Sequence, residues 1–168
     1  SKVKSINSFE VMIIPGVGSF NKASLLFKKK NLFRIIKEFN TADKKIIGIC
    51  LGMQLMLSFG YENKKSKGLD FIDGYADIVN NKIKLPIVGW YDTYFLNKKF
   101  RKFNKKKFYY LHSFAPKKVK KRNTLCMNKF GKINYISGLI DKNLYGFQFH
   151  PEKSGDLGLK LLKFVIID

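Results

Sequence analysis

Two short stretches of this 168-residue chain hold side chains suited to covalent chemistry. In Gly48-Ile49-Cys50-Leu51-Gly52, a thiol stands between two glycines, each two residues away. In His150-Pro151-Glu152, an imidazole and a carboxylate point to the same side if the chain is extended. Together they supply a nucleophile, a base to take its proton, and a carboxylate to orient that base. The combination predicts nucleophilic catalysis by Cys50.

A buried strand and a helix must meet at Cys50 to present the sulfur. Ile46 to Ile49 form a β-branched run typical of a strand buried on both faces, and Leu51, Leu55 and Met56 recur at helical spacing. Glycines on both sides remove the Cβ atoms that would collide in so tight a turn, as in a nucleophile elbow. A helix amino terminus there favours thiolate over thiol. The alternative is an inert cysteine buried in a core strand.

A second strand predicts another contribution to the same site. Val11 to Ile14 read as a buried strand that stops at Pro15-Gly16-Val17-Gly18. Amides in this loop could face an anion at the sheet edge beside Cys50 and help to form an oxyanion hole. Taken alone, the loop is more typical of an ordinary strand-to-helix connection.

The other histidine, His112, is a weaker candidate for the base. No carboxylate follows it in register, unlike His150. It lines the pocket through backbone groups or its neighbour Ser113, or it is a structural histidine with its hydrogen bonds satisfied within the protein.

The remaining patterns predict an α/β fold with one domain over residues 1–168. Ala23 to Phe39 predict one crossover helix between the first two strands, and Leu157 to Ile166 predict a closing helix with Leu161, Leu162, Phe164 and Val165 towards the core. We expect a mostly parallel central sheet with flanking helices and a mixed or antiparallel carboxyl-terminal half. Hairpin turns are predicted at Asn80-Asn81 and Gly131. The short strands predicted after Gly60 are 74–79, 82–86, 108–111, 125–130, 133–136 and 144–149.

Composition bears on partners and location. The net charge of +21 is compatible with nucleic-acid binding. However, only three of the 33 basic residues are Arg, whose planar guanidinium group binds phosphate better than the Lys ammonium does. We interpret most of the charge as solvated Lys, with basic patches at 98–107 and 117–122. Two distant Cys, no secretory signal and no apolar span of about 18 residues indicate a reduced cytoplasmic protein outside the membrane. No metal-ligand spacing is present.

Three motifs, in this order, resemble a known family. Pro15-Gly16-Val17-Gly18-Ser19-Phe20, Gly48-Ile49-Cys50-Leu51-Gly52-Met53-Gln54 and Gly146-Phe147-Gln148-Phe149-His150-Pro151-Glu152-Lys153-Ser154 resemble class I glutamine amidotransferases, and within them the glutaminase subunits of imidazole glycerol phosphate synthase. The resemblance runs from about Val11 to the last helix and implies a flavodoxin-like fold. It also implies glutamine hydrolysis through a thioester, without a cofactor or metal.

The resemblance implies roles for individual residues. Cys50 would be the nucleophile, His150 the acid and base, and Glu152 its partner. The oxyanion would be held by the Leu51 amide and by an amide at Val17 or Gly18 that reorients when the partner binds. Trp90 and Lys153 would face that partner, a (β/α)8-barrel cyclase that consumes the ammonia. L-Glutamine would be bound by Gly16, Gly52, Gln54, Glu62, His112 and Ser113.

Three departures from the family pattern keep other interpretations open. Tyr91 stands where Asn is usual and Phe114 where Tyr is usual, so the partner could instead be the synthase subunit of a sugar amidotransferase in surface-polysaccharide synthesis. Ser1 to Glu10 do not supply the strand and helix with which the family opens. We therefore expect an amino-terminally truncated chain, and an inactive fragment is a second alternative. A basic nucleic-acid binder is the third.

Overall fold

The computed structural model describes residues 8–40 and 44–167, which form two β-sheets with flanking helices. The strands are β1 (Val11–Ile14), β2 (Lys45–Ile49), β3 (Leu57–Gly60), β4 (Ser66–Lys67), β5 (Ile72–Ile78), β6 (Ile87–Phe95), β7 (Lys106–His112), β8 (Phe114–Lys117), β9 (Thr124–Phe130), β10 (Ile133–Asp141) and β11 (Leu144–Phe147). The α-helices are α1 (Phe20–Lys29), α2 (Leu32–Asn40), α3 (Leu51–Leu55) and α4 (Gly155–Ile167). Short 3₁₀ helices span Lys98–Phe103, Lys121–Asn123 and Pro151–Lys153.

Within the described residues, the larger sheet has seven strands in the spatial order β1-β2-β11-β10-β9-β6-β7, and the smaller sheet has four in the order β4-β3-β5-β8. In the larger sheet β2 pairs in parallel with both β1 and β11, and the other pairings are antiparallel. The α/β class is confirmed. The sheet is less parallel than predicted, because the later strands are joined by short connections, which only antiparallel neighbours allow.

The crossover between β1 and β2 differs from the prediction in one respect. The single helix expected over Ala23 to Phe39 is two helices, α1 and α2, separated at Lys30 and Asn31. Asn31 has a left-handed backbone with φ of 55°, a conformation that Asn tolerates better than most residues. The helical spacing of apolar residues continues across this break, so periodicity alone did not reveal it.

The predicted strands after Gly60 are confirmed except for 82–86. There the Lys82 amide donates to the Asn80 side chain at 2.7 Å in a local turn, and Pro86 lacks a ladder donor. The hairpin predicted at Asn80-Asn81 is therefore wrong, because β5 pairs with β8 rather than with the next strand. Gly131, with φ of 58°, does turn the β9–β10 hairpin. Strand β6 was missed, although its aromatic and β-branched composition favours a strand.

Apolar side chains fill the space between the larger sheet and the helices. Met53 of α3 is fully buried, as are Phe147 and Phe149 at the end of β11. The closing helix is confirmed as α4, with Leu161 and Val165 buried and Leu162 and Phe164 partly buried. This packing fixes the ends of β2 and β11 beside one another.

Other predictions concern the opening segment of the chain, membrane-spanning helices and metal-binding clusters. The prediction that the family's opening strand and helix are lacking concerns the segment before Val11, where residues 1–7 lie outside the described residues. Within residues 8–40 and 44–167, no helix combines the length and apolarity needed to span a membrane. In the same ranges, no cluster of three His, Cys, Asp or Glu side chains is placed to hold a metal ion.

Candidate active site

Cys50 lies at the bend between β2 and α3. Its backbone has φ of 52° and ψ of −109°, a strained conformation for a residue with a side chain. The bend is held on both sides, because the Cys50 amide donates to the Phe147 carbonyl at 2.7 Å and the Gln54 amide donates to the Cys50 carbonyl at 3.1 Å. The predicted strand-to-helix elbow is therefore present.

The two glycines beside Cys50 are needed for close backbone approach. A Cβ on Gly52 would fall onto the carbonyl of Ile14 in β1, and a Cβ on Gly48 would lie 2.7 Å from the Met53 backbone. Neither backbone group can move without displacing the elbow. The glycine spacing in the sequence thus reports the tight packing of β1, β2 and α3.

The resting state of the sulfur differs from the prediction. Burial raises the pKa of the Cys50 thiol to about 11, and only part of this rise is offset by hydrogen bonds from the Leu51 amide and the Gln148 side chain. The expected preference for thiolate at the helix terminus is wrong, because α3 has five residues and Cys50 is only 7% exposed. A base must therefore take the proton.

His150 is oriented as a base requires. Its Nδ1 lies 2.7 Å from Glu152 Oε1, so Nδ1 carries the proton that it donates to the carboxylate. Nε2 is buried and has no hydrogen-bond partner among the described residues. The His150 amide also donates to the Tyr109 carbonyl at 2.8 Å, which fixes the backbone. The imidazole thus keeps one nitrogen available to accept a proton.

Cys50 and His150 line the same cavity, of about 210 Å³. This volume lies below the roughly 300–1,000 Å³ of pockets for drug-sized ligands and suits a small metabolite. Most of the predicted site residues lie here. The lining residues are Val17, Gly18, Cys50, Leu51, Gln54, Glu62, Leu111, His112, Ser113, Phe114 and His150.

The Pro15–Gly18 loop packs directly on the elbow. A Cβ on Gly16 would lie 2.8 Å from Leu51 Cβ, so this loop packs against the start of α3, and both line the cavity. Val17 is 77% exposed and Gly18 has φ of 105°. The residues predicted to form the oxyanion hole, Val17, Gly18 and Leu51, therefore line the same cavity as Cys50.

The predicted substrate-binding side chains are held by different means. Glu62 is half-buried, and its Oε2 accepts the Phe20 amide at 2.8 Å at the start of α1. Ser113 lines the cavity, and its carbonyl accepts the Val79 amide. Gln54 is buried and donates from Nε2 to the Phe114 carbonyl at 3.0 Å. Gly16 and Gly52 are not among the cavity-lining residues; the structure places them in tight packing contacts of the elbow instead, Gly16 against Leu51 and Gly52 against Ile14.

His112 uses both ring nitrogens within the protein. Nδ1 lies 2.9 Å from the Phe114 carbonyl, which can only accept, and Nε2 lies 3.2 Å from the Tyr135 hydroxyl. Burial lowers the pKa of His112 to about 4, so the ring is neutral. This arrangement favours the structural alternative for its side chain, with a backbone contribution to the cavity wall.

The predicted partner-facing residues lie outside the cavity. Trp90 on β6 is 49% exposed and makes an edge-to-face contact with Tyr109, with ring centroids 6.0 Å apart. Lys153 is exposed immediately after Glu152. Both are on the surface, and Trp90 is linked to His150 through Tyr109, whose ring centroid lies 6.5 Å from that of His150.

Sequence reasoning missed two groups that touch the sulfur. Gln148 Nε2 donates to Cys50 Sγ at 3.6 Å, and the thiol lies 3.8 Å from the Leu111 carbonyl, which it can donate to. Gln148 was within a quoted motif, two residues before His150 on an extended chain. That spacing places it on the same side as His150 and was the available signal.

Comparison with known proteins identifies the family. The model of the family "Glutamine amidotransferase class-I" matches residues 1–167. The chain is 35% identical over 166 residues to "Imidazole glycerol phosphate synthase subunit HisH" of Saccharolobus solfataricus, covering 92% of this chain and 78% of the relative. It is 37% identical over 169 residues to "Imidazole glycerol phosphate synthase subunit HisH 1" of Campylobacter jejuni, covering 95% and 82%.

Solved structures share the fold at lower identity. "Structure of PurLQS from Thermotoga maritima" contains a chain that superimposes with a TM-score of 0.74 at 20% identity, over 98% of this chain and 82% of that one. A chain described as "Crystal structure of glutamine amidotransferase" gives a TM-score of 0.70 at 12% identity, over 95% and 81%. With the family match along the chain and relatives above 30% identity, this protein belongs to the class I glutamine amidotransferases, which are glutamine-hydrolysing enzymes.

Proposed function

We propose that this chain is the glutaminase subunit of an imidazole glycerol phosphate synthase, with residues 1–168 acting as one domain. It hydrolyses L-glutamine to glutamate and ammonia and delivers the ammonia to a cyclase subunit. The observation that carries the chemistry is that Cys50 and His150 line one cavity. Nδ1 of His150 lies beside Glu152, and its Nε2 has no hydrogen-bond partner among the described residues. The relatives with the printed name HisH support the choice of acceptor.

The first half of the reaction forms a thioester. The Cys50 proton passes to His150 Nε2, and the sulfur attacks the side-chain amide carbon of glutamine. Glu152 stabilises the imidazolium through the Nδ1 hydrogen bond. The oxyanion is held by the Leu51 amide and by an amide at Val17 or Gly18. When the tetrahedral intermediate collapses, His150 returns the proton to the departing nitrogen, and ammonia leaves.

The second half releases glutamate. Water gives a proton to His150 and attacks the thioester carbon, and the thiol of Cys50 recovers its proton as the carbon–sulfur bond breaks. Every proton moves between the substrate, water, Cys50 and His150, so the reaction needs no cofactor.

Glutamine is recognised by charge at the other end of the cavity. Its α-ammonium group needs an anionic partner, and Glu62 is the carboxylate that lines the cavity. Gln54 lies between Glu62 and the elbow in the sequence and provides a second polar wall. His112 and Ser113 complete that wall.

The ammonia acceptor is a (β/α)8-barrel cyclase that docks over Trp90 and Lys153. Both residues are exposed, and a partner docked over them would cover the exit for ammonia. An apolar side chain near them, Val88, is 48% exposed and pairs across the sheet with Leu111, whose carbonyl faces the sulfur. The departures at Tyr91 and Phe114 are the argument for a sugar amidotransferase partner, and the relatives named above do not support that alternative.

Glutamate release from glutamine, measured with the cyclase subunit present, tests this proposal. We expect Cys50→Ala to lower the turnover by about 10³-fold or more, because removal of a nucleophile leaves only binding and the oxyanion hole. Cys126→Ala is the matched control and keeps turnover within about threefold, since Cys126 lies in β9 away from the cavity. Turnover that survives in Cys50→Ala contradicts the proposal.

A further inference from the structure

Gln148 is buried directly behind the nucleophile. It follows β11, is 0% exposed, and its Nε2 donates to Cys50 Sγ at 3.6 Å. Its backbone amide donates to the Ser137 carbonyl at 2.9 Å, which anchors it to β10. The mechanism above assigns it no role, yet its side chain donates directly to the reacting sulfur.

The orientation of the Gln148 amide is fixed by a chain of hydrogen bonds. The Phe114 carbonyl can only accept, so the Gln54 group 3.0 Å from it is the Nε2 donor. The same Nε2 lies 3.1 Å from the Gln148 side chain, whose group there must be the Oε1 acceptor. The remaining Gln148 group, Nε2, therefore faces the sulfur. A flipped Gln148 would place two donors against each other at Gln54.

This donor matters because the sulfur is poorly solvated. In the thiol form the sulfur lies between the Gln148 donor and the Leu111 carbonyl acceptor, so both of its hydrogen bonds are satisfied. When the proton moves to His150, the Leu111 carbonyl can no longer accept from sulfur, whereas the Gln148 N–H faces a full negative charge. Hydrogen bonds to a charged group are stronger than those between neutral groups.

We propose that Gln148 is a further catalytic residue, which donates a hydrogen bond to the Cys50 sulfur and stabilises the thiolate, with Gln54 as the positioning residue that fixes its orientation. This role rests on the proposed function, because it needs Cys50 as the nucleophile. It gives Gln54 a second task besides lining the cavity. It also explains why a polar side chain with no access to solvent is placed next to an apolar core.

The test is the rate at which iodoacetamide alkylates Cys50 in the folded protein as the pH is raised, measured by peptide mass spectrometry. Gln148→Met removes the donor at similar length. We expect the rising part of the rate profile to move up by about one pH unit, with about tenfold slower alkylation at a fixed pH. Gln148→Glu keeps an acceptor for Gln54 but puts an acidic group at the sulfur, and we expect a larger slowing.

Thr93→Val is the matched control. Thr93 is 0% exposed and its hydroxyl lies 2.7 Å from that of Tyr110, so the variant loses a buried hydrogen bond away from the sulfur. Its profile should coincide with that of the wild type. Profiles of folded Gln148→Met or Gln148→Glu that coincide with the wild type overturn the proposal, as does an equal shift in Thr93→Val. If Gln148→Met does not fold, the alkylation profile of Gln148→Glu is compared with that of the wild type, and this comparison decides the test.

This readout is separate from the test of the proposed function. Glutamine turnover that survives in Cys50→Ala would remove the glutaminase mechanism but would leave the alkylation profiles unchanged. Coincident profiles together with an inactive Cys50→Ala would remove only the role of Gln148.

Discussion

Two regions of this protein each contain one cysteine and one histidine, and only one of the regions is arranged for chemistry. The elbow region, where β2 and β11 end side by side, holds Cys50 and His150. The antiparallel region, formed by β6, β7, β9 and β10, holds Cys126 and His112, although His112 also lines the cavity at the elbow. Because the residue types are the same, the difference between the regions lies in hydrogen-bond partners and access.

The two cysteines differ less in pKa than in surroundings. Burial raises the pKa of Cys50 to about 11 and that of Cys126 to about 12. Cys126 has an extended backbone in β9, is 0% exposed and accepts from the Ser137 hydroxyl at 3.5 Å. Cys50 lies at a strained bend on a cavity shared with a histidine. Neither thiol is intrinsically acidic, so a nearby base distinguishes them.

The two histidines differ in what their second nitrogen does. His150 and His112 each have Nδ1 beside an oxygen, a carboxylate for His150 and a carbonyl for His112. Nε2 of His112 faces the Tyr135 hydroxyl, whereas Nε2 of His150 has no partner among the described residues. An unpartnered buried nitrogen is costly for stability and is retained where a substrate or proton will meet it.

Replacing each histidine in turn tests the difference between the two with the largest expected effect. We expect His150→Ala to lower the kcat/KM for glutamine by about 10³-fold or more, because the proton of a buried thiol then has no acceptor. His112→Asn keeps a donor for the Phe114 carbonyl, and we expect a loss of about tenfold or less. The measurement is glutamate release with the cyclase subunit present, on variants whose folding is confirmed by circular dichroism. Equal losses in the two variants would show that both histidines act in catalysis.

A smaller expected effect is the dependence of the protein's stability on pH, to which His112 contributes. The pKa of His112 is about 4 in the folded protein against an ordinary 6.5, so between these values the unfolded chain binds a proton that the folded protein does not. Stability from this group is complete above about pH 6.5 and falls as the pH is lowered towards 4. Between pH 7 and pH 5 the loss is about 2 kcal/mol.

Urea unfolding at pH 7 and pH 5 measures this effect. His112→Asn removes the titrating group, so its stability should fall by about 2 kcal/mol less than that of the wild type over the same interval. His150 is present in both proteins and cancels. An identical fall in both proteins would show that His112 is protonated without cost in the folded state.

The elbow region could be predicted from the sequence because its signals are local. A β-branched run, a cysteine and two glycines fall within seven residues, and His150 and Glu152 are two residues apart. Each short pattern has few structural solutions, so the elements around the site were found with their order. The prediction of a thiolate at the helix amino terminus was wrong because α3 is short. The apolar pattern continues past Leu55, but the helix ends there, since its length depends on packing against the sheets.

The contacts that complete the site could not be found in this way. The Leu111 carbonyl is 61 residues from Cys50 along the chain, and Gln148 is 98 residues away. Their positions depend on the pairing of β6 with β7 and of β11 with β2, which no local pattern specifies. The structural role of His112 likewise depends on a long-range contact, the one between its Nε2 and the hydroxyl of Tyr135 on a different strand.

Covalent labelling by a glutamine analogue that carries an electrophilic diazo-ketone tests the central claim most directly. The whole protein is treated with the analogue, with and without excess glutamine, and the modified peptide is found by mass spectrometry. We predict stoichiometric labelling of Cys50 that glutamine prevents, with no label on Cys126, because only Cys50 shares a cavity with His150. Labelling of Cys126, or labelling of Cys50 that glutamine does not slow, would contradict this account.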